Sequence, residues 1–204
     1  MKKIKDKLIT IYPQLIFLIV TFCIFMPSSL FLGNIDQFAV GFTALIPLLM
    51  AASLITAAVV ILIGLIVPKK ICNIYAAVIF GGALAAYVQG NFLNPDFGVL
   101  NGRQIQWSQF KVNGIISTVV WIVLIVVPAV IVCFKKDIMT KIMKWGSLFL
   151  SSIQIVTLVV LIISSKRTVD YSYAVTKNDE FALSSQGNVV VFIVCLLYTS
   201  PSPR

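Results

Sequence analysis

Five long apolar stretches, separated by short polar or basic links, fill most of the first 165 residues. They run from about Leu8 to Leu32, Phe42 to Val67, Ile71 to Gln89, Gly114 to Phe134 and Trp145 to Ser165. Each can cross a hydrocarbon core about 30 Å thick, which takes about twenty helical residues. A segment in lipid must satisfy its own backbone hydrogen bonds, so all five are predicted as transmembrane α-helices.

The pattern changes after Ser165. Residues 166–187 are polar and predict a solvated extracytoplasmic linker that ends in the turn-forming run Ser184-Ser185-Gln186-Gly187. Asn188-Val-Val-Val-Phe-Ile-Val194 follows, with six consecutive apolar residues, four of them Val. Such a run predicts a strand buried on both faces, as in a parallel sheet. A lone strand needs sheet partners and covering helices. The expected fold is therefore an all-α membrane protein: a five-span anchor over residues 1–165, the linker, and at 188–194 the first strand of a truncated α/β domain. Residues 195–204, Cys195 to Arg204, translate back into DNA resembling a transposase-end sequencing adapter, which makes them a non-native tail outside the fold.

Composition agrees with the spans. The chain is 59% apolar and 11% charged, with a mean hydropathy of +1.02, against about a quarter charged in soluble domains. The net charge of +9 does not imply nucleic acid, because the lysines cluster beside the spans, where they set topology and meet anionic lipid. The leader Met1–Lys7, the Lys69–Lys70 link and the 135–144 link hold four, two and four Lys; the alternate side holds only Arg103 and Lys111. The positive-inside rule then places the N-terminus in the cytoplasm and the C-terminus outside. Lys166 and Arg167 run against that rule without reversing it. The first stretch reads as an uncleaved signal anchor, being long for a signal peptide and without a small-residue cleavage site at Met26-Pro-Ser-Ser-Leu30.

Candidate chemistry is sparse. None of the five stretches contains Asp, Glu, Lys or Arg, which weighs against a proton relay or ion path. Gln14, Thr21, Thr56 and Gln154 are scattered polar residues expected to hydrogen-bond between helices, and Pro47 and Pro128 are expected to kink theirs. Ala77, Gly81 and Ala85, four apart, permit a close helix approach, and Trp107 and Trp145 fit interfacial anchors. Cys23, Cys72 and Cys133 read as small apolar residues, and Asp170, Asp179 and Glu180 as parts of a solvated linker. No phosphate loop, metal-ligand cluster or nucleophile–base pair is present, so no catalytic, cofactor-binding or metal-binding residue is assigned.

Several polar segments carry a resemblance. Met26-Pro-Ser-Ser-Leu-Phe-Leu-Gly-Asn34 with Asp36-Gln-Phe38, then Gln89-Gly-Asn-Phe-Leu-Asn94, Phe97-Gly-Val-Leu-Asn-Gly102 and Ile105-Gln-Trp107, resemble the membrane region of bacterial sulfatase-like proteins. These are relatives of lipoteichoic acid synthase and the phosphoglycerol transferases, in the alkaline phosphatase superfamily. Phe181 to Val194 resembles the start of their catalytic domain. The resemblance implies a bacterial plasma-membrane protein whose outer domain is a metal-dependent hydrolase or transferase of sulfate or phosphate esters, with lipid-linked or cell-envelope substrates. It implies a divalent metal bound by an Asp directly after the strand and a Thr, Ser or modified Cys nucleophile further on. Cys195 of the adapter-like tail stands at that Asp position, so none of the family's catalytic residues carries over and the fragment is expected to be inert. The alternatives are a small transporter or channel subunit, which needs broken helices with polar groups in paired positions, and a membrane interaction or assembly protein.

Overall fold

The computed structural model describes residues 2–35, 38, 41–95 and 107–165, and their regular structure is entirely helical. Helix α1 (Lys2–Ile19) passes through a π-helical segment, Val20–Phe25, into α2 (Met26–Gly33). A 3₁₀ turn, Phe42–Leu45, leads into α3 (Ile46–Ile66). Helix α4 (Cys72–Val88) continues into a second π segment, Gln89–Leu93. A 3₁₀ turn, Trp107–Phe110, opens α5 (Lys111–Phe134), and α6 (Lys136–Ser164) is the longest helix. These elements make five rods long and apolar enough to cross a membrane: Ile4–Gly33, Phe42–Ile66, Cys72–Leu93, Trp107–Phe134 and Lys136–Ser164. The linker at 166–187, the strand at 188–194 and the tail at 195–204 lie outside the described residues.

Two connections are shorter than the apolar pattern suggests. The basic link 135–144 is helical from Lys136 onward, leaving Lys135 alone as the corner, at φ −131° and ψ 61°. Lys, Met and Ile sustain a helix there, with neither Gly nor Pro to interrupt it. Met139 and Met143, four apart, bury one face of these turns while the lysines stay exposed. The polar stretch 90–113 is likewise helical to Leu93 and again from Trp107.

Burial is uneven across the rods. Half of the first rod's apolar window and 44% of the third's are buried, against 11%, 11% and 17% for the second, fourth and fifth. Helix α1 packs against α3, α4 and α6, while α4 lies along α5. The first and third rods are therefore the centre, and α3, α5 and α6 surround them. Their outer faces carry exposed Leu54, Ile55, Val123 and Val156, which meet lipid in a bilayer. One core cluster joins Phe17, Ala77, Phe80, Val132, Met139 and Met143, with the Phe17 and Phe80 rings 6.0 Å apart and tilted by 43°. A second joins Ile11, Leu15, Val60, Cys72 and Ile79.

Small residues let α4 sit at the centre. Ala76, Ala77, Ala83 and Ala85 are fully buried, and Gly81 faces the α5 backbone. A Cβ on Gly81 would collide with the Leu124 carbonyl oxygen and stand 2.7 Å from the Ile125 Cα. The expected close approach is thus present at Gly81, with Ala77 and Ala85 buried on either side of it.

The N-termini of α1, α4 and α6 share one end of the bundle with the C-termini of α3 and α5. That end holds the lysines of the leader and of the two basic links, with Lys111 at the other end. Lys7 Nζ donates to the carbonyls of Leu65 (2.8 Å) and Val67 (2.6 Å), capping the last turn of α3 with a cation where the helix dipole favours one. Lys69 pairs with Asp6 at 3.2 Å, but both are exposed and the pair adds little stability. At the opposite end the Phe31 ring stacks on Phe38 at 4.5 Å and tilts against Phe42 at 5.8 Å.

Candidate functional site

Two polar segments far apart in the chain meet at the end opposite the lysines. Phe25, Met26, Ser29, Leu30 and Asn34 of the first rod, with Gly90, Asn91 and Asn94 of the third, line a cavity of about 410 Å³. The π segment Gln89–Leu93 shapes one wall. A π turn packs more residues into each turn than an α-helix and so re-aims the side chains beyond it. A Cβ on Gly90 would stand 2.8 Å from the Met26 Cε, the movable end of a flexible side chain.

The site is rich in amides that hold their own backbone. Asn34 Nδ2 donates to the Leu30 carbonyl (2.9 Å), Asn91 Nδ2 to Tyr87 (2.7 Å) and Asn94 Nδ2 to Gly90 (3.3 Å). Each amide thus bonds the backbone one turn before it, and Leu30 and Gly90 lie in the last turns of their rods. Ser29 Oγ donates to the Met26 carbonyl at 3.0 Å. Gln89 fastens the wall to α5, its Oε1 accepting from Trp121 Nε1 at 3.2 Å. Among the described residues the lining carries no charged side chain, and its amides and hydroxyl suit the recognition and positioning of polar groups.

A second polar feature runs through the bundle along α6. Gln14, Thr21 and Ser28 recur every seven residues in the first rod, and all three are buried. Thr21 Oγ1 lies 3.0 Å from Gln154 Nε2 and 3.2 Å from Gln154 Oε1, a buried interhelical pair beside the first π segment. Gln14 shares a cavity with Thr140, Lys141 and Lys144 at the basic end. Ser28 shares an apolar cleft of about 490 Å³ with Leu158 and Ile162. Gln14, Thr21 and Ser28 therefore follow α6 from one end of the bundle to the other.

The expected interhelical bonding of Thr21, Gln154 and Thr56 is present, with Thr56 Oγ1 3.4 Å from Cys23 Sγ. Gln14 differs. Its amide nitrogen turns back to the carbonyls of Thr10 (2.7 Å) and Ile11 (3.2 Å) of its own helix. Pro47 does not kink a helix interior but opens α3, where its missing N–H costs no hydrogen bond. Pro128 lies within α5 and Pro13 within α1. Trp107 and Trp145 are two-thirds exposed, as interfacial anchors require. Cys72 is buried in an apolar cluster and Cys23 is buried against Thr56, whereas Cys133 is exposed. Among the described residues no group of His, Cys, Asp or Glu could hold a metal ion.

Sequence reasoning missed Ser28, Ser147, Ser151 and Pro13. The seven-residue spacing of Gln14, Thr21 and Ser28 was the available clue. Comparison with family models, curated proteins and solved structures found no match to this chain.

Proposed function

We propose that the chain is the membrane anchor region of an extracytoplasmic sulfatase-like enzyme, a metal-dependent hydrolase or transferase of sulfate or phosphate esters. One observation carries this reading. Met26–Asn34 and Gln89–Asn94, the segments whose residues resemble that family's membrane region, line one cavity at the end away from the lysines. With the lysine-rich end in the cytoplasm of a bacterial cell, by the positive-inside rule, that cavity opens on the outer side, where a domain following Ser165 would stand. The amide-rich lining suits contact with the polar head of a lipid-linked substrate. Tethering a catalytic domain there raises its effective concentration near lipid substrates.

The divalent metal and nucleophile belong to the catalytic domain, and no residue of the chain is assigned to them. The test is to read the source DNA without fragmentation across the Val194 codon. An Asp codon directly after it, in a frame long enough for a whole α/β domain with a Thr, Ser or Cys nucleophile, is the expected result. A stop within a few codons would overturn the reading and favour a small membrane interaction protein.

A further inference from the structure

The basic end holds a cavity of about 320 Å³ between α1, α4 and α6. Thr10 and Gln14 line it from α1, Asn73 from α4, and Lys136, Lys141 and Lys144 from α6. Pro13 forms part of the wall, where its missing N–H interrupts the α1 hydrogen-bond ladder. Gln14 is 2% exposed, with its amide nitrogen turned to the Thr10 and Ile11 carbonyls.

The charge of the site is unbalanced. Among the described residues Lys69–Asp6 is the ion pair, and none of the three cavity lysines has a carboxylate partner. Lys144 Nζ lies 5.7 Å from the Trp145 ring centroid. The first turn of α6 adds the positive end of a helix dipole. Asp137 is the acid in that turn, and Lys135 at the N-cap supplies no side-chain cap. Three lysines around a concave wall of low dielectric concentrate a positive potential. Lysine offers three donors and no acceptor, which suits a group with several anionic oxygens. Exposed Trp145 beside the cavity marks the depth of lipid headgroups, and Ile9 and Met143 give it an apolar side.

We propose that this cavity binds a phosphate ester, presented either by an anionic phospholipid headgroup or by a soluble phosphate compound. Basic pockets between membrane helices recognise such headgroups through this combination of charge and depth.

The full chain in neutral detergent is titrated with phosphatidylglycerol, phosphatidylcholine and glycerol phosphate, reading bound mass and the melting temperature. Saturable retention of phosphatidylglycerol over phosphatidylcholine is expected. Lys136→Gln and Lys141→Gln should each weaken it about fivefold, the effect of one lysine near a membrane surface. Lys70→Gln, at the same end but outside the cavity, should leave it unchanged. The lysine side chains are exposed, so the variants should keep the unliganded melting temperature. Glycerol phosphate binding as strongly as the lipid would identify a soluble source; binding of the lipid alone would identify a headgroup. Equal retention of both lipids without glycerol phosphate binding, or equal weakening by Lys70→Gln and Lys141→Gln, would overturn the site.

Discussion

Gly81 and Gly82 are neighbours in one helix, and the same substitution should act oppositely on them. A Cβ at Gly81 would stand 2.7 Å from the Ile125 Cα and closer still to the Leu124 carbonyl oxygen, whereas a Cβ at Gly82 meets nothing within 4 Å. Ordinary contact starts near 3.4 Å, and the opposing atoms are backbone, which cannot rotate away. Gly81→Ala therefore forces α5 back by at least about 0.7 Å, a gap that forfeits a quarter to a half of each dispersion contact along the seam. Overpacking of this kind costs about 1–3 kcal/mol. Gly82→Ala should be neutral or stabilise by up to about 1 kcal/mol, the helix-propensity gain. The assay is reversible unfolding in mixed micelles, followed by the fluorescence of Trp121, whose indole bonds Gln89 across the same α4–α5 seam. Replacing Trp107 and Trp145 with Phe isolates that emission. Equal stability of the two alanine variants would refute the packing described for α4 and α5.

Other expectations address the polar groups and the topology. Thr21→Val strands the buried Gln154 amide and should destabilise by about 1–2 kcal/mol, with a Thr21/Gln154 double-mutant cycle giving a coupling near about 0.6 kcal/mol; a coupling of zero would deny the pair. Ser147 Oγ is buried without a partner among the described residues, so Ser147→Ala should be neutral or stabilise by up to about 1 kcal/mol; clear destabilisation in the same titration would show a missed bond. Lys7→Gln removes the cationic cap on α3 and should speed hydrogen exchange at Leu65 to Val67 without altering the middle of the helix, and unchanged exchange would show that the cap is idle. A periplasmic-type reporter enzyme fused after Ser165 should be active and a cytoplasmic fluorescent one dark, and the reverse pattern would invert the orientation.

Much of the architecture is readable from the chain because it is local. Span number, helicity and basic flanks follow from segment length, from the backbone's need for internal partners, and from where lysine can reach water. The same rules misplace the start of α6. An apolar window stops at Trp145, while the preceding turns stay helical because Met139 and Met143 pack inward. Pro47 shows a related limit: a proline reads as a kink until its place at the helix start is known.

The lateral arrangement belongs to the tertiary structure alone. In a soluble protein the apolar face of a helix marks its buried side. In lipid the outer face is as apolar as the core, so the pattern of Leu, Ile and Val cannot say which rods are central. Packing decided that the first and third rods form the hub, that Gly81 and not Gly82 touches α5, and that Gln14, Thr21 and Ser28 meet α6. It also joined Met26–Asn34 to Gln89–Asn94 across more than half a hundred residues of chain, and gathered Lys136, Lys141 and Lys144 around one cavity with Gln14 and Asn73. The sequence determined which segments are long and apolar enough to cross a membrane and which flanks are basic. The side-by-side fit of helix surfaces, which hydropathy does not encode, decided what lies together.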